Sequence, residues 1–133
     1  MNYEFDYDHR LRLLKMTFRG ELDEKQLVAA VQQLREVISE LAPEKSLADF
    51  SPVTSLHVPS GTISSLAHLR PAYPAHVPQV IVAPQDHLFG LARMFQIVGA
   101  EARPNLHVVR TMAEACKLLG IEEEPKFERL KVA

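Results

Sequence analysis

The chain has 133 residues, enough for one domain of ordinary size with a packed core. Hydrophobic residues make up 47% and charged residues 24%, an average globular balance that excludes disorder and low complexity. The formal charge of −2, with both signs interspersed, excludes the clustered Lys and Arg excess that holds nucleic-acid backbones.

The opening Met1-Asn2-Tyr3-Glu4-Phe5-Asp6 is acidic and aromatic, unlike a signal peptide. No apolar run approaches the roughly 20 residues of a membrane span. The one cysteine, Cys116, has no partner for an internal disulfide, so a cytoplasmic location is the expectation. Tyr3, Phe5 and Tyr7 alternate with acidic residues, and Leu14, Met16 and Phe18 alternate with polar ones. This period of two predicts two half-buried strands joined by a turn at Asp8-His9-Arg10. Leu11 and Leu13 have the opposite parity, which places a bulge or twist near Leu13. Gly20 ends the second strand.

Asp23 followed three residues later by Gln26 is a capping-box start. Leu27, Val31, Leu34, Ile38 and Leu41 then recur at helical spacing, with Arg35 among the residues on the polar side, until Pro43 closes the helix. Residues 46–50 read as a short strand, residues 51–59 as an irregular loop, and Ser60-Gly61 opens a helix to about Leu69. Pro71, Pro74 and Pro78 punctuate the next loop. Val80-Ile81-Val82-Ala83 is apolar throughout, as in a strand covered on both faces. Asp86 is placed to cap a third helix, Leu106 to Val109 forms the last strand, and Thr111 with Glu114 is a second capping box. The order β-β-α-β-α-β-α-β-α predicts a single α/β domain over residues 1–121, with a mostly parallel central sheet and helices packed on it. Residues 122–133 form a charged tail in which Phe127 and Leu130 can dock.

In such sheets the carboxyl ends of the strands favour ligands. Asp49 and Ser51, then Asp86 and His87, then Arg110 and Thr111 all fall there, beside Ser60. They form the candidate ligand or partner site, although each also suits a cap or an Asx turn. No histidine pair has metal spacing, no nucleotide-binding glycine motif occurs, and His57, Ser60 and Asp49 lack the G-x-S-x-G elbow of a hydrolase. No catalytic residue, metal or cofactor is assigned. Phe89, Met94 and Ile97 broaden the apolar surface of the third helix beyond one core stripe, a candidate self-association face. Cys116 has core spacing with Met112 and Leu119.

Three features carry a resemblance: the element order over residues 2–120; Leu47-Ala48-Asp49-Phe50-Ser51 leading to Ser60-Gly61 at a helix start; and Val80-Ile81-Val82-Ala83 followed by Phe89-Gly90-Leu91-Ala92-Arg93-Met94-Phe95, Leu106-His107-Val108-Val109 and Glu114-Ala115. The chain resembles the STAS/SpoIIAA-like family, in its uncharacterised bacterial branch. The resemblance implies a non-catalytic regulatory or protein-interaction module, with a protein partner or a homodimer. It also implies a phosphoacceptor at the start of the second helix. Pro59 stands at the usual phosphoacceptor position, and Ser60 matches the neighbouring serine, whose other reading is an ordinary N-cap. The alternative function is a small-molecule or lipid carrier, in which the loop carrying Tyr73 between prolines lines a pocket mouth.

Overall fold

The computed structural model describes residues 2–132. Strands β1 (Tyr3–Asp8) and β2 (Leu13–Phe18) pair antiparallel, from Tyr3 opposite Phe18 to Asp8 opposite Leu13. The alternation sets this register, because Tyr3, Phe5 and Tyr7 must share a core with Leu14, Met16 and Phe18. The turn closes when Asp8 Oδ1 accepts the Leu11 N–H at 2.9 Å, and Arg12 takes a left-handed φ of 52°. The expected bulge near Leu13 is absent from this regular pairing. Leu13 points to a second core on the other face of the sheet, with Leu47 and Val80, and that explains its parity.

Strand β3 (Gly20–Asp23) leads into helix α1 (Glu24–Leu41). The Asp23–Gln26 capping box is present: the Gln26 N–H donates to Asp23 Oδ1 at 2.8 Å, and the Asp23 N–H to Gln26 Oε1 at 3.0 Å. Left-handed Ala42 ends the helix. There follow β4 (Lys45–Asp49), β5 (Val53–His57), α2 (Ser60–Ala67), β6 (Gln79–Val82), α3 (Asp86–Val98), β7 (Leu106–Val109), α4 (Met112–Leu118) and β8 (Glu128–Arg129). The main sheet has the order β7-β6-β4-β2-β1-β8; β2, β4, β6 and β7 run parallel, while β1 is antiparallel to both neighbours.

The nine expected elements are all present, and the chain adds three strands. Gly20 does not end the β structure; its φ of 65° turns the chain into β3, which pairs parallel with β5 in a separate two-stranded sheet. The region read as an irregular loop thus contains a strand. The charged tail is tied down as well: β8 pairs with β1, and Phe127 packs against the second core.

Two cores flank the sheet. The larger holds Leu27, Ala30, Val37 and Ile38 of α1, Ile63 of α2 and Leu88 of α3 against β1 and β2. The smaller sets Ala115 and Leu119 against Leu47, Val80, Val82 and Val109. Full burial of a side chain such as Phe5 or Val82 contributes roughly 1.5–3 kcal/mol. Cys116, expected in this core, is only half-buried at its margin.

Candidate functional site

The strand-end residues named from the sequence are occupied by local structure. Asp49 is buried, and its Oδ1 accepts the Ser51 N–H at 2.9 Å, which closes the turn after β4; Ser51 itself is exposed. Ser60 is not the N-cap of α2. Pro59 holds that position in extended backbone, with no side-chain cap bond, and its carbonyl accepts the Thr62 N–H at 3.0 Å. Ser60 is therefore the first helical residue, exposed to solvent. At the same end, Thr62 donates its hydroxyl to Glu24 at the start of α1.

Asp86 does not cap α3 either; Gln85 is the N-cap and reaches away, donating to the Val53 carbonyl at 2.9 Å. Asp86 Oδ1 instead pairs with Arg110 Nη1 at 2.7 Å, an exposed ion pair worth about 0.2–1 kcal/mol. Arg110 also donates to the Pro84 carbonyl and lies 4.2 Å from the centre of the Phe89 ring. Thr111 caps α4, accepting the Glu114 N–H at 3.2 Å, but the expected box is not completed: the Glu114 carboxylate accepts the Thr111 hydroxyl at 2.9 Å instead of the Thr111 backbone N–H. His87 is exposed. His57 contacts Ser55 on its own strand, Oγ to Nε2 3.2 Å, while buried Asp49 serves its turn. The proposed self-association face is divided: Phe89 and Met94 pack against the larger core, and Ile97 is 63% exposed.

A different site lies beneath α1, α2 and α3. A cavity of about 180 Å³ separates these helices from the sheet. Met16, Ala48 and Ile81 form its floor, and Val31, Leu91 and Phe95 are among its walls. Small side chains at Ala48, Ala83 and Ala92 leave this volume open in an interior that is otherwise close-packed. Near the carboxyl ends of the strands, Phe18 and Phe50 stack with centroids 4.4 Å apart. The opposite end is polar. Ser46, near the start of β4, pairs in register with Gln79, the first residue of β6, and both line the cavity. Tyr73, Arg35 and Arg103 join them, and none of the seven strand-end residues does.

The segment from Ala67 to His76 wraps this polar end. Arg103 Nη1 and Nη2 donate to the carbonyls of Ala67 and Leu69 at 2.8 and 3.1 Å, which satisfies the end of α2. Arg35 donates to the Arg70 carbonyl. Asn105 donates to the carbonyls of Ala75 and His76. Burial lowers the pKa of Arg103, and the charge of Arg35 lowers it further. Among the described residues neither arginine has a carboxylate at ion-pair distance, since every ion pair lies elsewhere. Tyr73 is 5% exposed and its hydroxyl has no hydrogen-bond partner among the described residues; Ser46 lies near without closing a bond. Burial drives the phenol pKa far above its ordinary value, so the hydroxyl stays a donor.

Tyr73 was legible as a pocket-lining residue from its place between prolines. Arg35 was assigned to the polar side of α1, yet it is half-buried and lines the cavity. Arg103 carried no signal, because a lone arginine before a proline reads as surface. No protein-family model matches the chain, and no curated protein matches it by sequence.

Proposed function

We propose that the protein is a non-catalytic binding domain of the STAS/SpoIIAA-like kind that carries a small apolar molecule. The cavity beneath α1, α2 and α3 carries this reading. At about 180 Å³ it is a little larger than an engineered cavity of about 150 Å³ that takes up benzene. Its lining is mostly hydrophobic with a few polar groups gathered at one end, the usual chemistry of a ligand site. An apolar body of about six to eight carbons gains roughly 5–6 kcal/mol on transfer, corresponding to dissociation constants of about 0.04–0.2 mM before the cost of immobilising the ligand. The order of the nine main elements, with an antiparallel first pair leading into a parallel sheet, supports the family reading.

The test is a titration of ligand-free protein with 1-octanol, followed by calorimetry and by amide and methyl chemical shifts. Saturable binding with shifts at Ala48, Ile81 and Leu91 is expected. Binding that does not saturate, or shifts confined to the surface, refutes the carrier reading.

A regulatory module acting through protein contacts, a homodimer included, is the second reading. Its support is the exposed pair Ile97 and Val98 at the end of α3, 63% and 40% accessible. Sedimentation of wild type and Ile97→Lys tests it: a dimer that the substitution dissolves supports it, and a monomer at all concentrations counts against self-association.

A further inference from the structure

The polar end of the cavity is more than a rim. Arg103 is 7% exposed, and its partners at Ala67 and Leu69 are neutral carbonyls. A guanidinium has five N–H donors, so these two carbonyls leave others on a side chain that lines the cavity. A buried cation without an anion is costly, and a second cation lining the same cavity adds to that cost. Arg35 is that second cation, close enough for its charge to act on Arg103. The buried hydroxyl of Tyr73 belongs to the segment that both arginines bind, and it lacks a partner of its own. Two cations without a carboxylate, Arg103 lying 4.8 Å from the centre of the Phe95 ring and Arg35 half-buried, therefore share with the Tyr73 hydroxyl the polar end of a cavity whose only other polar lining is Ser46 and Gln79.

Building on the carrier reading, we infer that the ligand is an amphipathic monocarboxylate with a tail of about six to eight carbons. Its carboxylate sits at Arg35 and Arg103 and accepts the Tyr73 hydroxyl, and its tail runs along Ala48 and Ile81 toward Phe18 and Phe50. A carboxylate suits the site better than a phosphate. Both groups match the guanidinium fork, but the carboxylate is smaller and leaves most of the roughly 180 Å³ to the tail.

Octanoate and 1-octanol each have eight carbons and differ in head charge; the alkyl tail of the alcohol is one methylene longer, which favours the alcohol, so a preference for octanoate separates this inference from the carrier reading. Calorimetry on ligand-free wild type is expected to show octanoate binding about tenfold or more tighter than 1-octanol, the advantage of hydrogen bonds to a charged group. Arg35→Met and Arg103→Met each remove most of that advantage while leaving 1-octanol within about threefold of wild type. A merely structural role would weaken both probes alike. Arg103 also holds the end of α2, so if Arg103→Met does not fold, the wild-type comparison and Arg35→Met decide the matter. Equal affinity for the two probes overturns the carboxylate site and leaves the carrier reading standing. Failure of both probes to bind overturns both. An octanoate advantage that survives the substitutions overturns the assignment to these arginines.

Discussion

Replacing Tyr73 by Phe removes one oxygen and little else. The ring is 5% exposed and keeps its packing, and the lost hydroxyl has no hydrogen-bond partner among the described residues. A buried, unpaired hydroxyl costs about 1–3 kcal/mol. Taking the low end, since Ser46 lies nearby, Tyr73→Phe stabilises the ligand-free protein by about 1 kcal/mol. For a chain of this size that raises Tm by roughly 3–5 °C. The assay is thermal unfolding followed by circular dichroism at neutral pH, with ligand removal checked by native mass spectrometry. Saturating octanoate is expected to close or invert the gap, because the wild-type hydroxyl then gains an acceptor. A Tm that falls by a similar amount in the ligand-free variant refutes the reasoning, since it means the hydroxyl is already satisfied in the free protein.

Filling the cavity separates binding from folding: Ala92→Leu places three more carbons in it, and 1-octanol binding is expected to disappear while the urea midpoint stays level or rises. Gly99→Ala acts on the polar end from behind. The new Cβ would lie 2.6 Å from Arg103 Nη1, with the carbonyl oxygens of Ala67 and Phe95 at 3.2 and 3.3 Å. Urea unfolding should report a loss of about 1–3 kcal/mol, and octanoate affinity should fall with it. Asp8 gives a pH signature. Its carboxylate accepts the N–H groups of Leu11 and Lys126 at 2.9 and 2.8 Å, and the bond from Leu11 is the main reason its pKa lies below the ordinary 3.8. Its stabilising contribution is therefore present above that value and is lost as pH falls through the lower folded one. Melting curves from pH 7 to 3 should show wild type losing an advantage over Asp8→Asn only at the acid end, with faster hydrogen exchange at Lys126 in the variant throughout.

The elements that announced themselves were long or strongly periodic. Tyr3, Phe5 and Tyr7 alternate over a whole strand, and α1 has both a capping box and several turns of apolar stripe. Strand β3 has one buried apolar residue, Leu22, in four, and β8 has two exposed charged residues and nothing else. Both are held by hydrogen bonds to distant segments, which no local pattern encodes. The same limit applied to the site. Asp49, Asp86, Arg110 and Thr111 drew notice as polar residues at strand ends, yet each is used by its own turn, ion pair or cap. The groups that matter in the cavity are a helix arginine one step from Leu34 and an arginine in a turn. They become unusual only when tertiary packing buries Arg103 and half-buries Arg35 at one cavity without a carboxylate.

The margins of the main sheet also carry a consequence for how copies of this chain can meet. Without β8, the six-residue β1 with its buried aromatics would present an open row of N–H and C=O groups, a template for another strand. The returning tail occupies that row: the Leu130 N–H donates to the Phe5 carbonyl at 2.9 Å, and Arg129 pairs with Glu4 and Asp6, each at 2.8 Å. The new outermost strand is two residues long and charged. The opposite margin, β7, is only four residues, with His107 exposed. The fold thus denies strand-to-strand stacking at both sides and leaves its helices as the surface through which copies would associate. A chain cut before Ile121 would uncover β1 as a single open edge, through which two copies are expected to pair strand to strand, a dimer that sedimentation would detect.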